Sequence, residues 1–117
     1  PLFGAGANKN KVRVTQAEAD LQERQNEYSQ QVFATARMQA EKEVQKNNAM
    51  LAFYERTGLK QSAEIIKASS LAYRAGEISF AELSQFLSQA IDIQRNYLEV
   101  LNAYNHSVIR YYYYINQ

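Results

Sequence analysis

The sequence predicts an all-α fold, a long antiparallel helical hairpin of coiled-coil type, on three observations. From about Asn10 to Ala72 there is no proline, and Ala, Gln, Glu, Lys and Arg, all good helix formers, dominate. A glycine followed by a helix-start pattern then interrupts the run at 73–79. After it, apolar residues recur at alternating steps of three and four to the end of the chain, the mark of a helix packed lengthwise on another.

Residues 1–9 read as a strand end and a hinge, because the apolar Pro1-Leu2-Phe3 gives way to Gly4 and Gly6. Residues 10–72 read as one long helix. Roughly 60 helical residues would extend about 90 Å, far beyond an ordinary globular helix and suited to a coiled coil or helical barrel. Its apolar stripe, including Leu21, Tyr28, Val32, Val44, Leu51, Tyr54, Ile66 and Leu71, follows helical spacing with interruptions. Gln45-Lys46-Asn47-Asn48 is a polar stretch that a tight two-helix seam would not choose. Gly58, a costly residue inside a helix, reads as a local bend rather than a close helix contact.

Residues 73–79 read as the turn. Gly76 supplies the left-handed conformation that ends a helix, and Ser79 with Glu82 makes a capping box for the next one. Residues 80–117 form the return helix. Phe80, Leu83, Leu87, Ala90, Gln94, Tyr97, Leu101, Tyr104, Val108, Tyr111 and Ile115 hold the 3.5-residue repeat for about five heptads, with Gln94 the only polar member. Phe86, Ile93 and Val100 flank this seam and widen the apolar face, so more than two helices are expected to meet there. The arm before the turn is the longer one, leaving about 25 residues, or about 35 to 40 Å at the helical rise, without a partner in the chain.

Composition excludes several functions. The chain has 117 residues, 46% apolar and 21% charged, which is too hydrophobic for disorder. Thirteen basic against twelve acidic residues give a net charge of +1, without the basic surplus that nucleic-acid binding demands. There is no cysteine, hence no disulfide, thiol nucleophile or thiolate metal site. No run of about 18 apolar residues could cross a bilayer as a helix. An opening at Pro1 without methionine or an apolar leader makes the chain read as a piece of a longer protein.

Nothing assembles a catalytic or cofactor site. His106, the single histidine, lies beside the seam and reads as facing solvent or a neighbour. Glu41 and Glu43 point to different helix faces, while Glu23 and Glu27 share one and read as solvated charge. Met38 and Met50 are separated and read as packing residues. Tyr111-Tyr112-Tyr113-Tyr114 must cover every side of a helix, fitting a subunit junction or an aromatic belt near a membrane better than a nucleic-acid platform, since only Arg110 is near.

The order of motifs, Pro1-Leu2-Phe3 with glycines just after it, a long polar helix, Tyr73-Arg74-Ala75-Gly76-Glu77-Ile78-Ser79, then Tyr97-Leu98 and Tyr104-Asn105, resembles the C-terminal repeat of TolC-like outer membrane efflux proteins. The turn and the Gly58-Leu59 element are most similar to the branch serving heavy-metal cation efflux. The resemblance implies a homo-trimeric parent with an outer membrane β-barrel and a periplasmic α-barrel. In it, Pro1 to Phe3 would end the last barrel strand, and residues 10–72 would run down through the periplasm. The tip, Arg74, Ala75, Gly76, Glu77, Ile78 and Ser79, would dock the hairpin of a periplasmic adaptor linked to an inner-membrane pump. Where the family often has a hydrophobic residue before the tip glycine and Leu or Thr after it, this chain has Ala75 and Glu77, which implies a specialised adaptor. Without a first repeat and most of a barrel, the chain alone should conduct nothing. The rival expectation is a free-standing coiled-coil scaffold that oligomerises through the return-helix seam.

Overall fold

The computed structural model describes residues 2–116, with side chains from residue 6 onward. They form helix α1 (Leu2–Phe53), a turn of π-helix (Tyr54–Gly58), helix α2 (Leu59–Arg74) and, after a short turn, helix α3 (Phe80–Ile115). There is no strand among them, as an all-α hairpin requires. The chain divides between Met38 and Gln39 into two units.

The N-terminal unit is helical throughout its described part, and every side chain from residue 6 to 32 is exposed. The strand end and hinge expected at 1–9 are not seen: Leu2 to Lys9 is helix, while Pro1 lies outside the described residues. An extended segment needs neighbours to complete a ladder, and none exists among the described residues. The local preferences of Ala5, Ala7 and Lys9 then decide.

The second unit is the hairpin. Its first leg is the end of α1, the π-turn and α2, and α3 returns antiparallel. On the first leg one line of buried and half-buried positions runs Ala40, Val44, Asn47, Leu51, Tyr54, Gly58, then Ser62, Ile65, Ser69 and Ala72, with Ala52, Thr57, Leu59, Ile66 and Ser70 half-buried beside it. Steps of four and three alternate up to Gly58, and the next step is four where the pattern asks for three. This break in the alternation falls at the π-turn. There the Leu59 N–H donates to Tyr54 O, five residues back instead of four. A π-turn inserts one residue into a helix without ending it, so the seam resumes facing α3. The single long helix expected over 10–72 is thus interrupted at 54–58, and Gly58 marks this insertion. A Cβ on Gly58 would sit 2.8 Å from Cδ1 of Tyr54, so the glycine also makes room for that ring.

Small residues hold the legs together. Ser62 and Ala90 are fully buried, and Ala40, Ser69 and Ser107 nearly so. Ser62 Oγ donates to Ala90 O at 3.1 Å and accepts from Gln94 Nε2 at 3.0 Å. Gln94, the polar member of the repeat, thereby has a role in fixing the alignment of the legs. Farther from the tip, Asn47 Nδ2 donates to Ala103 O at 3.4 Å and Arg110 Nη1 pairs with Glu43 Oε2 at 2.8 Å.

The π-turn makes an unusual prediction for Gly58→Ala. Alanine is the better helix former by about 1 kcal/mol, yet the clash with Tyr54 should outweigh this and lower stability by about 1 to 3 kcal/mol. In a Tyr54→Ala background the same substitution should become neutral or stabilising. Urea unfolding of the four proteins in a double-mutant cycle measures the coupling.

Candidate docking site at the hairpin tip

The tip is closed by local bonds alone. Gly76 takes φ 74°, the only positive φ among the described residues. Its N–H donates to Tyr73 O at 3.0 Å, and the Glu77 N–H reaches Ala72 O at 2.8 Å. These are the two bonds of a Schellman ending, which satisfy carbonyls that the helix end would otherwise leave open. Ser79 (φ −77°, ψ 165°) then turns the chain into α3. Its hydroxyl accepts from the Glu82 N–H at 3.2 Å, and the Glu82 carboxylate accepts from the Ser79 N–H at 2.8 Å. Both halves of the expected capping box are present, so the turn holds its shape through its own hydrogen bonds.

Of the tip residues, Arg74, Ala75, Gly76, Glu77 and Ser79 are exposed. Ile78 is half-buried: it lines a groove of about 300 Å³ with Ile65, Ala68, Ser69, Ala72 and Phe86. Ser69 adds no free donor there, because its hydroxyl donates to Ile65 O at 2.6 Å. An apolar cleft therefore adjoins an exposed, charged turn. On the other side of the turn the Tyr73 and Phe80 rings meet edge to face, centroids 6.3 Å apart.

The packing seam of α3 is centred one residue away from the expected line. Leu83, Ala90, Tyr97, Tyr104 and Tyr111 form one buried or half-buried column, and the column beside it is Phe86, Ile93, Val100, Ser107 and Tyr114. Leu83 is half-buried in the Ala90 column and Leu87 and Leu101 are half-buried along the flank, while Phe80, Phe86 and Val108 are exposed. The reason is that apolar columns lie on both sides of the Ala90 column. Sequence spacing does not distinguish the one that meets the first leg. The buried serines, 62, 69 and 107, stand outside the apolar pattern by which the sequence marks the seam. Their signal is a small residue recurring at seam positions.

His106 is exposed and lies in a second groove with Glu43, Lys46, Asn47, Ala103, Ser107 and Arg110. The Arg110–Glu43 pair there is about half exposed on each side, where such a pair is worth at most about 1 kcal/mol. No group of three His, Cys, Asp or Glu side chains that could hold a metal occurs among the described residues. Likewise, none of the described helices is long and apolar enough to cross a membrane.

Because φ at Gly76 is left-handed, Gly76→Ala should cost about 1 to 2 kcal/mol. Ser79→Ala should cost about 1 kcal/mol through loss of the cap. Thermal unfolding followed by circular dichroism measures both, and Glu77→Ala, which removes only an exposed side chain, is the neutral control.

No family model, no curated protein and no solved structure matches this chain.

Proposed function

We propose that the chain is a non-enzymatic segment of the outer membrane component of a tripartite efflux system, resembling TolC-like proteins. In this reading the hairpin forms part of the periplasmic tunnel wall of a homo-trimer. Its tip, residues 74–79, docks a periplasmic adaptor that connects to an inner-membrane pump. The cargo is a heavy-metal cation or a drug. The observation that carries the reading is the tip itself: a turn locked by its own backbone and capping bonds, exposing Arg74, Ala75, Gly76, Glu77 and Ser79 beside an apolar groove. A preformed turn loses little entropy when a partner helical hairpin engages it, and the groove walled by Ile78 and Phe86 can accept an apolar side chain of that partner.

A second reading, a free-standing coiled-coil oligomerisation scaffold, is favoured by the apolar side chains that α3 leaves exposed, such as Leu98 and Tyr112. The scaffold needs no partner at the turn.

Site-directed disulfide crosslinking in cells separates the two. The chain contains no cysteine, so Ile78→Cys in the parent protein reports on one position. The docking reading expects a crosslink to a cysteine in the hairpin of an adaptor, absent for exposed Lys46→Cys. An assembled parent that crosslinks from neither position would leave the scaffold.

A further inference from the structure

The N-terminal unit exposes every side chain from residue 6 to 32, and neither functional reading employs it at a contact. Its charges are sorted along the chain. Lys9, Lys11 and Arg13 come first, and Glu18, Asp20, Glu23 and Glu27 follow, with Arg24 alone of the other sign among them. None of these residues is in an ion pair among the described residues. A helix standing free gains from opposite signs four residues apart, whereas Lys9 with Arg13, and Glu23 with Glu27, put like signs at that spacing.

The same stretch carries a narrow seam. Asn10, Val14, Ala17, Leu21, Arg24 and Tyr28 alternate steps of four and three, with Val14, Leu21 and Tyr28 as its large apolar members. Val14 is 56% and Leu21 58% exposed. Arg13 and Asp20 flank this seam on one side, and Lys11 and Glu18 flank it on the other.

We propose that this unit pairs antiparallel with the same unit of a second copy of the chain, Val14 of each beside Ala17 of the other. The flanking charges select the occupant, the direction and the register. In an antiparallel pair each flank meets the like-placed flank of the other helix. At this register Arg13 faces Asp20 of the second copy and Lys11 faces its Glu18, and two-fold symmetry makes each contact twice. Sliding one copy by seven residues keeps the seam but sets Asp20 against Asp20 and Glu18 against Glu18 in one direction, and Arg13 against Arg13 and Lys11 against Lys11 in the other. A parallel pair keeps only an Arg13–Glu18 contact across the flanks and puts Arg24 against Arg24 in the seam. Exposed ion pairs are individually weak and screened by salt, so the association is salt-sensitive. In a trimeric parent the contact joins two trimers, since a two-fold pair cannot close within a three-fold ring.

Disulfide crosslinking of the full chain, which has no cysteine of its own, tests this. Chains with Asn10→Cys and with Leu21→Cys, mixed at low salt, should crosslink to each other and neither to itself, because residues 10 and 21 of opposite copies adjoin in this register. Adding Lys11→Glu and Arg13→Glu to both chains should cut the yield by roughly tenfold or more. Keeping that pair of changes in one chain and placing Glu18→Lys and Asp20→Lys in the other should restore it. Circular dichroism checks that helix content is kept, and Ala7→Cys with Arg24→Cys replaces the first two cysteines if it is not. No crosslink between 10 and 21, crosslinks of each position to itself instead, or a yield that charge reversal leaves unchanged overturns the proposal. It does not rest on the efflux reading: this crosslink without any adaptor crosslink would sink only that reading, and the reverse outcome only the pairing.

Discussion

The close approach of the two legs is the constraint on which the hairpin depends. Ser62 packs with no exposed surface against α3 and donates to the Ala90 carbonyl. Ala90 is itself fully buried. A side chain of leucine size at either position would push the helices apart and break this bond. Buried polar groups are costly unless satisfied, and here none of the described buried side-chain polar atoms lacks a partner. The serine hydroxyl therefore acts as an alignment device as well as a spacer, because sliding the legs by one residue would strand it.

That alignment explains the π-turn. On the first leg two steps of four stand side by side at Gly58, where a continuous heptad pattern would alternate four and three, and the π-turn falls at that break. Widening one turn keeps Ser62, Ile65, Ser69 and Ala72 on the seam and delivers the chain to the tip in the phase that Gly76 and the Ser79–Glu82 box require. Gly58 is the residue that permits it, since any Cβ would meet the Tyr54 ring. The docking surface proposed at the tip thus depends on an adjustment about five helical turns away along the leg.

What could be read from the sequence follows from range. The turn was legible because its signals, a left-handed glycine and a capping box, act within four residues. The hairpin class was legible because a heptad repeat needs no knowledge of the partner. Which column of α3 faces the first leg was not, because the Phe86 and Leu87 columns are both apolar. Gly58 looked like a bend since a lone glycine signals permissiveness without saying what uses it. The two adjacent steps of four at Gly58 were visible in principle, but only once serines are counted as seam residues. The start of the chain was misread as extended because apolar and glycine residues suit a strand end only where a ladder exists to receive it.

Removing one residue from the π-turn tests the central claim most directly. Deletion of Arg56, exposed within the π-turn, removes the residue that the wider turn accommodates and lets the leg run on as plain α-helix with both halves still in phase. Deletion of Lys67, exposed in α2, turns the residues before it out of phase with the tip. Urea unfolding of the two should show the Arg56 deletion as stable as the parent or more so, and the Lys67 deletion weaker by about 3 kcal/mol or more, the scale of several lost core contacts. Equal losses from both deletions would contradict the account.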